Sequence, residues 1–220
     1  MNYLYLLTED DNDDLFYEGC VEKLTGKSYS VLNRRIRKGS GISAVRSSLR
    51  LLLQDIRRTG HLENTFFLVA IDNDRAPVHP KHPQIEGLSR SDRSKQCRVC
   101  ELQEVLNVEL DTDRSEWPIR GAIAIPVEML ESWLLLICGH RSDTLPFFGR
   151  KAQTIAKKYY SPKSPPDQLK DLCNQEIQNS SVGSMAEFCL TCATDLLDPD
   201  DLATKSPSFA HFKTQIETWI

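Results

Sequence analysis

The chain has 220 residues, 40% hydrophobic and 26% charged, with a net charge of −4. That length favours one domain with at most a small appendage, and the apolar content excludes a disordered or fibrous chain. The acidic balance argues against a protein that coats nucleic acid along its length, and no apolar run approaches the roughly 20 residues of a membrane-spanning helix.

The run Tyr3-Leu4-Tyr5-Leu6-Leu7 predicts a strand over 3–8, because strands covered on both faces read as continuous apolar runs. No basic residue precedes it and acids follow at once, which is not a secretory signal. A cytoplasmic location is the expectation. A helix is predicted over about 12–24, with Asn12 or Asp13 as its cap and Asp14 in its first turn. Ser28 to Arg35 reads as a second strand. A basic, glycine-bearing loop from Arg34 to Gly41 leaves it, and Val45, Leu49, Leu52, Leu53 and Ile56 mark one face of a helix over about 43–58.

Phe66 to Ile71 reads as a third strand. A polar segment rich in Pro, His, Ser and Arg follows from Arg75 to about Gln96 and reads as an insertion. Next come a helix over about 98–108, a fourth strand over 119–125, and a helix over 127–138 that Pro126 opens. Three prolines mark a loop over 161–166. Further helices are predicted over 167–178, 184–197 and 207–219, the last with Ser206 as cap and Pro207 as first helical residue. Alternating strands and helices predict an α/β fold with a mostly parallel central sheet flanked by helices. The expected division is an α/β domain over 1–140, with the insertion at about 75–100, and a helical extension over 141–220 packed on it.

Two acidic stretches carry the functional argument. Glu9-Asp10-Asp11-Asn12-Asp13-Asp14 follows the first strand and Asp72-Asn73-Asp74 follows the third. In an open α/β sheet, loops leaving the carboxyl ends of the strands line the ligand crevice. If those two strands are neighbours, Glu9, Asp72 and Asp74 converge there. Clustered carboxylates repel unless a cation sits between them, and hard oxygen ligands suit Mg²⁺ or Mn²⁺. Acids after strands also cap helices and solvate loops, so both readings stand at this level.

The order strand, Glu9, helix, strand, helix, strand, Asp72-x-Asp74 resembles the Toprim domain of topoisomerases, bacterial primases and overcoming-lysogenization-defect nucleases. Asp10 stands where that family usually has Gly, and Asp13 supplies the later acid. Ile123-Ala124-Ile125-Pro126-Val127-Glu128-Met129-Leu130-Glu131-Ser132-Trp133 is similar to a strand-to-helix junction in Toprim nucleases, where a further acid joins the metal site and a Trp packs beneath it. Glu131 is favoured over Glu128 because it directly precedes Ser132-Trp133. Ser206-Pro207-Ser208-Phe209 is similar to a feature of stand-alone Toprim-like proteins associated with phage defence. The resemblance implies one or two Mg²⁺ or Mn²⁺ ions held by Glu9, Asp13, Asp72, Asp74 and Glu131. It also implies phosphate contacts from the Arg34–Lys38 loop, and a transition-state cation from Lys38 or Arg75.

His79-x-x-His82 and Cys97-x-x-Cys100 lie in the insertion, with fourteen residues between the pairs. Two nitrogen and two sulfur ligands fit a tetrahedral structural Zn²⁺, which gives a weakly apolar segment a reason to be ordered. The same Cys pair also fits a redox couple. Cys189 and Cys192 lie in an apolar helical stretch and read as core residues. His140 and His211 read as structural. No Walker loop, dinucleotide fingerprint or Ser-His-Asp arrangement is visible. The expectation is a metal-dependent nuclease acting on DNA or RNA in defence against foreign nucleic acid, with an ATPase and further copies of the chain among its partners and no membrane. The alternative is a catalytically degenerate binding or regulatory subunit of a defence or toxin–antitoxin complex, which Asp10 in place of Gly favours.

Overall fold

A computed structural model describes residues 1–35, 41–59, 62–73, 76, 79, 97–111, 117–126, 129–142, 145 and 165–220. Four strands form one sheet: β1 (Asn2–Thr8), β2 (Tyr29–Arg35), β3 (Thr65–Ala70) and β4 (Arg120–Ala124). Their order is β2-β1-β3-β4, and every pairing is parallel. The register sets Thr8 against Arg35 and Leu7 against Val69. This α/β arrangement is compatible with a Rossmann-like fold.

The strands are apolar because helices cover both faces. On one face, Leu4, Leu6, Phe66, Leu68, Ala70, Ala122 and Ala124 pack beneath α1 (Asp11–Thr25) and the carboxyl-terminal helices. On the other, Tyr5, Leu7, Phe67, Val69, Ile71 and Ile123 pack beneath α2 (Gly41–Thr59) and α3 (Arg98–Leu110). The sheet grows to opposite sides of β1 through β2 and through β3. Right-handed crossovers then place α1 on one face and α2 and α3 on the other. The predicted stripe Val45, Leu49, Leu52, Leu53 and Ile56 is the buried face of α2.

After β4 come α4 (Glu131–Ile137), α5 (Pro165–Asn179), α6 (Met185–Thr191), α7 (Pro199–Lys205) and α8 (Pro207–Glu217). Their apolar residues share one core with α1 and the sheet. Among the described residues, no helix is long and apolar enough to cross a membrane. Among the described residues, no strand lies beyond β4. Gln215 of α8 takes that place: its Nε2 donates to Ile123 O (3.0 Å) and its Oε1 accepts from Ile123 N (2.9 Å). One side-chain amide thereby pairs both backbone groups of a buried edge residue.

Several local expectations change. The cap of α1 is Asp10, not Asn12 or Asp13; its Oδ1 accepts from Asn12 N (2.8 Å) and Asp13 N (3.1 Å). Pro126 does not open a helix, since α4 begins at Glu131. Without an N–H to offer the ladder, buried Pro126 lies past the end of the strand instead. The helix expected over 184–197 is α6 followed by a π turn over Cys192–Leu196. α7 was not anticipated, although Asp198 caps it and Pro199 opens it. Ser206 caps α8 as expected, accepting from Phe209 N (3.3 Å).

Candidate functional site

β1 and β3 are hydrogen-bonded neighbours, so the chain leaves both at the same rim. This is also where strand order reverses, with β2 on one side of β1 and β3 on the other. Such a switch point opens a crevice outside the carboxyl ends of the strands. Glu9 follows β1 directly and Asp72 follows β3 by two residues. Alternation along β3 puts Asp72 in phase with Phe66, Leu68 and Ala70, which face α1.

The first turn of α1 completes the acidic rim. Asp10 has φ −147° and ψ 179°, ordinary extended backbone, so this turn does not require the glycine of the Toprim pattern. Thr8 Oγ1 donates to Asp14 Oδ1 at 2.5 Å, tying the end of β1 to the helix. Glu9 N donates to Asp13 Oδ2 at 3.3 Å. Burial pushes the Asp13 carboxyl up to about 7, helped by the charges of Asp10 and Glu9 and opposed by hydrogen bonds from backbone N–H groups.

Tyr17, one turn further along α1, is buried beneath these acids. Burial drives its hydroxyl well above the usual phenol range, and Asp13, Asp72, Cys20 and Glu9 push it further. One phenol thus feels acids from both neighbouring strand ends. Glu131, the first residue of α4, is also raised by burial; its own backbone N–H and Lys170 lower it, and Asp10 raises it. Cys173 Sγ approaches Glu131 O at 3.8 Å, fixing α4 against α5.

The two stretches that resembled Toprim features away from the strand ends touch each other. Trp133 Nε1 lies 3.1 Å from both Ser206 Oγ and Ser208 Oγ. The buried indole sits among Phe16, Tyr17, Phe209 and Phe212, with ring centroids 5.1–6.4 Å away. Trp133 supports Tyr17, and Tyr17 lies under the acids. Asn73 shapes the loop that carries Asp72: its Nδ2 donates to Ala76 O (2.6 Å) and its O accepts from Ala76 N (2.9 Å).

Glu9, Asp13 and Asp72 thus lie where the chain leaves β1 and β3, and the charge of Asp10 raises both Asp13 and Glu131. Asp74, Lys38, Arg75 and Glu128 lie outside the described residues. Arg35 ends β2 in register with Thr8, so the basic segment leaves the sheet at the same rim. Tyr17 and Asn73 were missed because an isolated Tyr on a helix and an Asn between two Asp residues carry no pattern of their own. Asp10 was obscured by its acidic neighbours.

Among the described residues, only His79, Cys97 and Cys100 bring three ligand atoms within 4.8 Å of one another. Asp10 and Glu9 push up Asp13 and Asp10 pushes up Glu131, yet among the described residues these carboxylates form no such trio. His82, the fourth expected member of the Cys/His set, lies outside the described residues. None of the seven cysteines forms a disulfide. Cys189 and Cys192 are buried in the core, as expected. His140 Nε2 lies 3.0 Å from Glu176 Oε1, linking the end of α4 to α5. No protein-family model matches the chain, and no curated protein and no solved structure is similar to it.

Proposed function

We propose that this chain is a metal-dependent phosphodiesterase acting on nucleic acid, a nuclease of the Toprim type, with its site at the acidic rim between β1 and β3. The observation that carries the reading is the parallel pairing of β1 with β3 at the switch point. It delivers Glu9 and Asp72 to one rim, where Tyr17 feels them both. The donor set fits a hard divalent cation: Glu9, Asp13, Asp72 and Glu131 all offer carboxylate oxygens, and burial and mutual charge hold Asp13 near 7.

Mg²⁺ or Mn²⁺ at these residues would polarise a water and balance charge developing on the phosphate. The protein prepares the site in three ways. Asp10 and the N-terminus of α1 orient the first acidic turn, and the helix dipole favours its anions. Tyr17 and Trp133 pack edge to face as an apolar floor beneath the acids. Asp13 holds its proton at the carboxyl up to about neutral pH and releases it when positive charge arrives. β2 ends at Arg35 in register with Thr8, and the basic residues of the Arg34–Lys38 stretch are proposed to meet the phosphate backbone. Defence against foreign nucleic acid beside an ATPase partner belongs to the same proposal.

A second reading, a binding or regulatory module whose acids hold no ion, has one observation in its favour: these carboxylates form no close trio among the described residues. The two readings separate on purified protein incubated with plasmid DNA and with RNA in Mg²⁺ or Mn²⁺. Nuclease activity is expected, reduced at least about 100-fold in Glu9→Gln and Asp72→Asn. Activity that survives in the double variant refutes the proposal. Absence of both cleavage and Mn²⁺-induced thermal stabilisation establishes the binding module.

A further inference from the structure

His79 lies between β3 and α3, where it meets the first turn of α3. Its Nδ1 is 3.6 Å from Cys97 Sγ and 3.6 Å from Cys100 Sγ. A tetrahedral zinc with Zn–S of about 2.3 Å and Zn–N of about 2.0–2.1 Å has an S···N edge of roughly 3.6 Å. The two distances match that edge, and the three ligand atoms all lie within 4.8 Å of one another. We infer that His79, Cys97 and Cys100 bind a structural zinc ion, separate from the acidic rim.

The donor chemistry selects the metal. Two thiols and an imidazole disfavour Mg²⁺ and Mn²⁺, which take oxygen, and favour Zn²⁺. The spacing is built into α3: Cys97 is the cap residue and Cys100 is three residues on, so one helical turn brings both sulfurs to the same side. Glu101 anchors the same turn of α3. It is buried and joined to Arg98 (3.2 Å) and to Arg46 of α2. The sulfurs are therefore held in place from α2, which limits the ordering cost of binding.

The position of the trio gives the ion a purpose. The His79 ring packs on His211 of α8, with centroids 4.2 Å apart. His211 lies one turn before Gln215, which covers the open edge of β4. A zinc at His79 thus fastens the chain leaving the Asp72 loop to α3, which lies on one face of the sheet. Through the stacked imidazoles it also reaches α8, whose apolar residues belong to the other face.

The test uses the untagged full chain. Elemental analysis after chelator-free purification should find one zinc per chain. Cys100→Ser and His79→Ala should weaken zinc binding more than about 100-fold, whereas Cys138→Ser, outside the trio, should retain it. Metal-free wild-type protein refilled with Co²⁺ should show thiolate-to-cobalt charge-transfer absorption. This measurement decides the matter even if a variant fails to fold. Cobalt binding without a thiolate band, or stoichiometric zinc in a folded Cys97→Ser/Cys100→Ser double variant, overturns the inference. Neither outcome depends on nuclease activity.

Discussion

Replacing Asp13 by Asn tests whether the acidic rim is electrostatically strained without a cation. The carboxyl is raised from an ordinary 3.8 to about 7, largely by burial and then by Asp10 and Glu9. Below about 3.8 the group is protonated both folded and unfolded, and it costs nothing. Between 3.8 and 7 the unfolded chain loses the proton while the fold keeps it, so stability falls as pH rises. Above about 7 the fold must also carry the charge, and the full penalty applies. A shift of roughly three units at 1.36 kcal/mol each sets a ceiling of about 4 kcal/mol. Partial exposure and water penetration reduce the expected effect to about 1–2 kcal/mol. Asn keeps an oxygen for Glu9 N and removes the ionisable group. In chelator, urea unfolding should therefore find Asp13→Asn more stable than wild type at pH 8, with most of the gain gone by pH 4. Added Mn²⁺ should reverse the order at pH 8, because only wild type gains a ligand charge. A stability difference that is constant with pH, or a loss at pH 8 in chelator, refutes the reasoning.

Two structural predictions test the frame that presents the rim. Gln215→Leu keeps side-chain volume but strips both partners from Ile123, leaving a buried N–H and C=O unpaired; a loss of about 2–4 kcal/mol is expected by urea unfolding, and less than about 1 kcal/mol would show that the β4 edge finds other partners. Gly121→Ala puts a Cβ 2.0 Å from Cζ of fully buried Phe67, so a lowered melting temperature is expected from an overpacking cost of at least about 1–3 kcal/mol; Phe67→Leu in the same chain should recover part of it, and no recovery would place the strain elsewhere.

Much of this architecture was legible in local pattern. β1 and β3 announced themselves as apolar runs because helices cover both faces of the sheet, and the α2 stripe at helical spacing is the face that α2 buries. Glu9 and Asp72 were visible as the first acids after those two runs. The cap of α1 was not resolved, because several neighbouring acids offer the same side-chain chemistry. Pro126 misled because the same residue type starts helices and ends strands. α7 was hidden in a short Asp-Pro-Asp-Asp segment where no apolar period has room to develop. Tyr17 and Asn73 matter through what lies around them, and local spacing does not encode that.

The order of the residues alone marked the four strands and most of the helices, and showed that acids and paired His and Cys residues follow the third strand or precede the next helix. These follow from backbone preference and side-chain periodicity, which act over a few residues. Tertiary structure decided that β1 lies beside β3, that Trp133 meets Ser206 and Ser208, that Gln215 closes the β4 edge, and that His79 reaches both Cys97 and Cys100. Each joins side chains or strands distant in the chain. Such a pairing is fixed by how whole faces bury against one another, a balance no single segment carries.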